Sequence, residues 1–188
     1  MLRETGALDA AVIGSGPNGL AAAIVLARAG LRVRVHEAQP TLGGGLRSAE
    51  LTLPGFVHDV CSAIHPLAAA SPLFAELRLE EHGLEWVHPD VDVAHPLDDG
   101  TAVTLVRSLE ETAAGLGVDG DAYRRMIGPL AAHSRELLED ILQPLTRVPR
   151  HPLLLARFGM RAALPVTVLA RNAFDGERAR ALFAGLAA

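Results

Sequence analysis

A glycine-rich hexapeptide near the amino terminus constrains the fold of this chain more than any other feature. Residues 14–19 read Gly-Ser-Gly-Pro-Asn-Gly, which matches the pattern G-x-G-x-x-G. Its first glycine permits a tight turn, its second lets a pyrophosphate approach the backbone, and its third allows a helix to pack closely on a strand. Glycine-rich turns are common, so the residues around the motif decide what it indicates.

Those surrounding residues predict one strand–helix–strand unit. The short apolar run 8–13 predicts a buried strand that ends at the motif. Residues 17–29 predict a helix, with a proline tolerated in its first turn and Gly30 as its C-terminal cap. Residues 31–36 predict a second strand, and the whole unit has the length of a parallel, right-handed βαβ crossover.

Glu37 stands at the end of the second strand, 18 residues past Gly19. A carboxylate at this point is placed to accept hydrogen bonds from both hydroxyls of an adenosine ribose. Because it would repel a 2′-phosphate, we expect a dinucleotide site that disfavours NADP. The alternative is an ordinary strand-to-helix turn in which Glu37 is only a solvated strand end.

A second glycine-rich segment follows directly, with the sequence Leu-Gly-Gly-Gly-Leu-Arg-Ser over residues 42–48. Its glycines allow another close approach of the backbone to a ligand, and Arg47 is suited to bind a pyrophosphate bidentately. Standing alone, the segment would indicate a flexible loop with a surface arginine. The first motif does not distinguish FAD from NAD, and this second segment favours FAD.

Together the two segments resemble the superfamily of FAD-dependent oxidoreductases that includes amine oxidases and phytoene desaturases. The shared pattern is a dinucleotide fold, an acidic strand end and Gly-Gly-x-x-Arg-Ser/Thr, here residues 44–48. Residues 54–66 are similar to the phytoene dehydrogenase-related NAD(P)/FAD oxidoreductases. The resemblance is specific over residues 9–66 and looser through 91–106. It implies an α/β, Rossmann-like FAD-binding βαβ fold with a β-hairpin insert and a helical C-terminal region.

The resemblance also implies a cofactor site and an activity. The residues expected to line the ADP and pyrophosphate part of FAD are Gly14, Ser15, Gly16, Pro17, Asn18, Gly19, Glu37, Ala38, Gly44, Gly45 and Arg47. The activity is hydride abstraction by the flavin from a small apolar or amine-type substrate, and no catalytic base is assigned because flavin accepts hydride without one. Relatives are much longer and complete the flavin site with a C-terminal segment, so we expect an N-terminal fragment.

The remaining chain predicts a small β element followed by helices, in three parts over 1–83, 84–107 and 108–188. The expected elements are a helix at 71–82, strands at 84–87, 91–95 and 101–106, and helices at 108–116 and 121–142. An Asp-Asp-Gly turn at 98–100 indicates a hairpin, and Ser108 with Glu111 indicates a capping box. Gly128 and Pro129 predict a kink in the longer helix. After a proline-rich break at 144–152 we expect two or three further helices.

Composition excludes several classes of protein. Hydrophobic residues make up 49% of the chain, which excludes a disordered protein, while only 4% are aromatic, which argues against nucleic-acid binding by base stacking. The single Cys61 permits no internal disulfide or dithiol and fits a cytoplasmic location. His58, Asp59, Cys61 and His65 cluster in sequence but match no compact zinc spacing, so no metal is expected.

Charge divides the chain unevenly. Residues 144–188 carry seven arginines and two acidic residues, whereas the whole chain has a net charge of −5. A basic, apolar segment is suited to contact a membrane surface or a partner chain, although more often it covers an acidic part of the same protein. No apolar run reaches the length of about 18 residues that a membrane span needs, and no signal sequence is visible.

Three alternatives remain beside the FAD-dependent oxidoreductase. One is a fragment of an NAD-binding dehydrogenase, which would bind no flavin. The second is a non-catalytic truncated nucleotide-binding module or interaction protein whose exposed faces pair with another chain. The third is a carotenoid-type desaturase acting at a membrane. Substrate, electron acceptor and oligomeric state are not determined by these residues.

Overall fold

The computed structural model describes residues 7–144 and 146–187. The chain divides into two compact units, the first ending at Leu79 and the second beginning at Glu80. The three-part division over 1–83, 84–107 and 108–188 stays a prediction.

The first unit begins with the expected strand–helix–strand arrangement. Strand β1 (Ala10–Ile13) and strand β2 (Val33–His36) pair in parallel, with Ala10 opposite Val33 and Ile13 opposite His36. Helix α1 (Pro17–Arg28) connects them. The fold class is therefore confirmed, and both strands begin two residues later than the sequence predicts.

Local residue chemistry fixes both ends of α1. Its first turn contains Pro17, whose missing N–H costs nothing at a position where no intrahelical partner exists. At its other end Gly30 has φ +85°, its N–H donates to Ala27, and the Leu31 N–H donates to Leu26. This pair of hydrogen bonds is a Schellman motif, so Gly30 is the cap that the sequence predicts.

Short elements complete the first unit. A 3-10 turn (Gly44–Leu46) leads into strand β3 (Ser48–Glu50), which pairs antiparallel with strand β4 (Val57–Asp59). Helices α2 (Pro66–Ala69) and α3 (Pro72–Leu77) follow, and a 3-10 helix spans Leu79–His82.

The predicted helix at 71–82 is correct only in its first half. The Ser71 hydroxyl accepts a hydrogen bond from the Phe74 N–H, as expected of an N-cap. The helix then ends at Leu77, because Arg78 adopts a left-handed conformation with φ +50° and the chain continues as a tighter 3-10 helix.

The second unit opens with the predicted hairpin. Strands β5 (Val93–Pro96) and β6 (Ala102–Leu105) pair antiparallel, and Gly100 at φ +80° closes the turn between them. The strand predicted at 84–87 is wrong. Those residues are irregular, and no strand among the described residues offers them a hydrogen-bonding partner.

Helices form the rest of the second unit. They are α4 (Leu109–Gly115), α5 (Gly120–Ala132), α6 (Ser134–Ile141), α7 (Pro152–Ala162), α8 (Val166–Ala173) and α9 (Glu177–Leu186). The Ser108 hydroxyl caps α4 by accepting from the Glu111 N–H at 3.2 Å, as expected. Among the described residues no single helix is long and apolar enough to cross a membrane, and only α7 with α8, bent by 98°, passes such a test as a pair.

The long helix predicted at 121–142 is instead two helices. The backbone stays helical through Gly128 and Pro129 and breaks at His133, whose φ of −119° is not helical. Ser134 and Glu136 follow at once, and both are residue types favoured in a first helical turn. The proline therefore lies inside α5, and the break lies four residues beyond it.

One apolar core stabilises the second unit. Its buried side chains come from β6, α4, α5, α8 and α9 together with the residues that join them: Val103, Ala113, Leu116, Tyr123, Met126, Phe174, Ala179 and Leu182. Phe174 and Phe183 contact each other with ring centroids 5.7 Å apart. The core lies in the second unit alone.

Candidate dinucleotide-binding site

The G-x-G-x-x-G motif forms the turn between β1 and α1, at the carboxyl ends of the two parallel strands. Gly14 continues the pairing by donating its N–H to His36 at 2.7 Å, and it has φ +91°. That backbone conformation is strained for any residue with a side chain. In parallel α/β sheets, this edge is where ligands bind.

The other two glycines of the motif have different reasons to lack a side chain. A Cβ on Gly19 would collide with the Gly14 carbonyl oxygen and meet Val12 at 3.5 Å, so Gly19 is required for close packing of α1 on β1. A Cβ on Gly16 would meet only the Gly44 Cα, at 3.9 Å. Its face is thus open, which leaves room for a ligand against the backbone.

The first turn of α1 presents unused donors beside that open face. In the part of the chain that the structure describes, no hydrogen bond is donated by the backbone N–H of Gly16, Asn18 or Gly19. Free N–H groups and the positive end of the helix dipole together favour a bound anion such as phosphate.

The second glycine segment packs directly against the first. Gly44, at φ +57°, approaches so closely that a Cβ built on it would stand 2.9 Å from the Gly16 Cα. The Gly43 N–H donates to the Ser15 carbonyl at 3.1 Å and also lies 3.3 Å from the Ser15 hydroxyl. Residues far apart in sequence therefore form one continuous backbone surface.

Glu37 joins the end of β2 to this surface through Ser15. Its Oε2 accepts from the Ser15 N–H at 2.8 Å and from the Ser15 hydroxyl at 2.6 Å, and its Oε1 accepts from the Gln39 N–H at 2.9 Å. Ser15 is fully buried, with 0% exposure. The carboxylate is thus held at a fixed position at the strand ends.

These hydrogen bonds also fix the charge of Glu37. The Ser15 hydroxyl, then the Ser15 N–H and the Gln39 N–H, lower the pKa of Glu37 to about 2 against a smaller opposing effect of desolvation. Each donor favours the ionised form because a carboxylate is the better acceptor. The group is therefore negatively charged throughout the physiological range.

Arg47 ends the 3-10 turn of the second segment. Its Nε donates to the Gly44 carbonyl at 2.9 Å. Its two terminal nitrogens have no hydrogen-bond acceptor among the described residues. The guanidinium is thus oriented by the loop and keeps donors for a ligand.

The structure brings together most of the residues that the sequence singles out. Pro17 and Asn18 lie in the first turn of α1, Ala38 is exposed directly after Glu37, and Gly45 lies 3.9 Å, by its built Cβ, from the Cys61 Cβ. Their part in binding stays a prediction. The sequence reasoning missed Gly43 and Gln39, although the triple glycine and the position two residues after an acidic side chain were visible signals.

The clustered histidines make ordinary contacts. His58 pairs with the Thr52 hydroxyl at 2.8 Å, and His65 lies 3.4 Å from the Ser62 hydroxyl. Within residues 7–144 and 146–187, no group of three or more histidine, cysteine or acidic side chains is arranged to hold a metal ion.

Comparison with known proteins supports the same site. Residues 12–77 match the family model of the NAD(P)-binding Rossmann-like domain. The chain is 35% identical over 115 residues to a limonene dehydrogenase polypeptide of Castellaniella defragrans, covering 61% of this chain and 21% of that protein. It is 37% identical over 102 residues to pyridine nucleotide-disulfide oxidoreductase domain-containing protein 2 of Mus musculus, covering 54% and 17%.

A solved structure of a putrescine oxidase variant shows the same fold over most of this chain. It covers 92% of this chain and 35% of its own, with 22% sequence identity and a TM-score of 0.51. The chain thus spans about a fifth of the curated relatives that it matches and about a third of this structure. The Rossmann-like fold and the predicted resemblance to this group of oxidoreductases are confirmed.

Proposed function

We propose that this chain holds the adenosine diphosphate part of FAD, as the dinucleotide-binding portion of an FAD-dependent oxidoreductase. The observation that carries the proposal is the position of an ionised Glu37 beside the open first turn of α1, with Gly44 packed against Gly16. A carboxylate for a ribose and free N–H groups for a pyrophosphate are the two contacts that such a cofactor needs. The glycine surface leaves no side chain between them.

Each element of the site has a defined task in this proposal. The N–H groups at the beginning of α1 bind the pyrophosphate, and Arg47 neutralises it from the second segment. Glu37 orients the adenosine ribose and disfavours a 2′-phosphate. When bound, FAD supplies an acceptor for a hydride from the substrate. The described residues bind and orient the cofactor, and none is assigned a proton transfer.

The substrate class is a small apolar or amine-type molecule. Two similar proteins carry names that fit these two chemistries, limonene dehydrogenase for an apolar hydrocarbon and putrescine oxidase for an amine. A cytoplasmic location is part of the same proposal, as it was of the sequence interpretation.

Cofactor binding by the purified 188-residue chain tests the proposal. Equilibrium dialysis against FAD, NAD⁺ and NADP⁺ should show binding of FAD and exclusion of NADP⁺. Glu37→Gln should weaken FAD binding about tenfold, because a charged hydrogen-bond acceptor is lost. Glu50→Gln, an exposed acid on β3 of the same unit, is the matched control and should bind like the parent chain.

Other outcomes would favour the alternatives. Binding of NAD⁺ without any yellow flavin absorbance would support an NAD-binding dehydrogenase portion, which the description of the matched family also accommodates. Absence of any nucleotide binding, with a stable complex with another chain by native mass, would support a non-catalytic module.

Contact of residues 144–188 with a membrane surface or partner chain is a separate part of the proposal. Helix α7 exposes Leu153 by 87% and Met160 by 71%. Co-sedimentation of the full chain with anionic phospholipid vesicles should show weak binding that high salt releases, since surface charge attraction is screened. Binding that survives high salt would instead support a desaturase acting at the membrane.

A further inference from the structure

We propose that Ser15 restricts Glu37 to a single ribose hydroxyl, so that this site reads one of the two hydroxyls of an adenosine ribose and not both. The inference rests on the proposed function and changes what the acidic strand end recognises. It makes Ser15 a specificity-determining residue, although Ser15 itself need not touch the nucleotide.

The first step is the hydrogen-bonding capacity of the carboxylate. An ionised carboxylate offers about four lone-pair positions, two on each oxygen. The Ser15 N–H and hydroxyl, at 2.8 and 2.6 Å, occupy both positions on Oε2. The Gln39 N–H occupies one position on Oε1 at 2.9 Å. One position therefore remains for a ligand, and it lies on Oε1.

The second step is that Ser15 is not free to move aside. It is fully buried. Its carbonyl accepts from the Gly43 N–H at 3.1 Å, and its hydroxyl lies 3.3 Å from the same group. Rotating the hydroxyl toward a ligand would leave Glu37 without its shortest hydrogen bond and would uncouple the two glycine segments. Releasing a buried polar group in this way is unfavourable.

The third step is the consequence for a nucleotide. Two ribose hydroxyls cannot both donate to a carboxylate with one free position, so the second hydroxyl must be satisfied by water or by another group. Removing the hydroxyl that Glu37 accepts should weaken binding strongly. Removing the other should cost little, because it exchanges one solvated group for water.

The test uses the unmodified 188-residue chain with ADP, 2′-deoxy-ADP and 3′-deoxy-ADP, measured by isothermal titration calorimetry. We expect one deoxy nucleotide to bind about tenfold more weakly than ADP, as for a lost hydrogen bond to a charged group, and the other to bind within about twofold of ADP. Equal losses for both analogues would overturn the inference while leaving the proposed function intact. No binding of ADP would overturn both.

Two substitutions assign the effect to the hydroxyl of Ser15. Ser15→Ala frees a position on Oε2, so both deoxy nucleotides should then lose affinity and the difference between them should fall below about threefold. Ser15→Thr keeps a hydroxyl and should restore the difference. A difference unchanged in Ser15→Ala would overturn the role of Ser15.

A readout independent of nucleotide keeps the assignment testable. The carboxyl ¹³C signal of Glu37 should titrate near pH 2 in the parent chain and at higher pH in Ser15→Ala, because the donor that most stabilises the ionised form is gone. Ser15→Thr should titrate like the parent. A titration that does not move in Ser15→Ala would contradict the hydrogen bond on which the inference depends.

Discussion

The two units of this chain achieve definition in different ways. In the second unit, large apolar side chains are removed from water, with Phe174 at 2% and Leu182 at 0% exposure. In the described part of the first unit only Ser15, Ala23 and Leu77 are buried, while Ile13 is 82% and Ile64 71% exposed. The first unit nevertheless contains the tighter polar geometry.

That difference shows that a binding site does not need a large core beneath it. Glycine contacts and a few hydrogen bonds between Ser15, Glu37 and Gly43 place the cofactor-binding groups. Apolar packing, which is non-directional and scales with buried area, supplies stability where the side chains interdigitate. Stability and binding should therefore respond to different substitutions.

The largest expected effect breaks the core of the second unit. Leu182→Ala should lower the free energy of unfolding by about 2–5 kcal/mol, because it leaves a cavity among fully buried neighbours. Leu186→Ala, on the same helix but 46% exposed, is the matched control and should cost much less. Denaturant unfolding followed by circular dichroism measures both. Equal losses would contradict the assignment of the core.

A glycine pair separates folding from binding within the first unit. Gly19→Ala should destabilise the fold by about 1–3 kcal/mol, because its new Cβ would collide with the Gly14 carbonyl. Gly16→Ala, with only one neighbour at 3.9 Å, should cost about 1 kcal/mol or less but weaken ADP binding at least tenfold by filling the open face. Thermal unfolding and calorimetric titration distinguish the two effects.

A smaller effect is expected at Arg47. Arg47→Lys keeps the positive charge but loses the planar fork and the Nε hydrogen bond to Gly44. ADP affinity should fall about three- to fivefold, measured by the same titration, with no change in unfolding midpoint. Arg34→Lys, an exposed arginine on β2, is the control. An Arg47→Lys chain that binds ADP like the parent would remove this residue from the site.

The smallest expected effect is the pH dependence contributed by Glu37. Its pKa is about 2 in the folded chain and 4.5 ordinarily. A lowered pKa contributes stability that is fully present above pH 4.5 and is lost as the pH falls toward 2. Melting temperatures of the parent and of Glu37→Gln should converge over that window. A constant difference across it would contradict the hydrogen bonds from Ser15.

Local signals made much of the fold predictable. The helix cap at Gly30, the N-caps at Ser71 and Ser108 and the turn at Gly100 each depend on residues close in sequence. The parallel pairing of β1 and β2 followed from the length of the unit alone.

What the sequence did not reveal depends on distant partners. The Ser15 contact with Glu37 joins residues 22 positions apart, and residue type alone does not show that a buried hydroxyl would occupy an oxygen of the ribose-binding carboxylate. Residues 84–87 have the composition of a strand but lack a partner to pair with, and periodicity cannot supply one. The break at His133 fell beyond the proline that marked the expected kink.

The most direct test of the central claim is a backbone NMR titration of the ¹⁵N-labelled chain with ADP. The account predicts large, saturable shifts at the amides of Gly16, Asn18 and Gly19, where free N–H groups meet the nucleotide. It predicts no comparable shifts at Phe174 and Leu182 in the core of the second unit. Shifts confined to the second unit, with the glycine turn unchanged at saturating ADP, would contradict it.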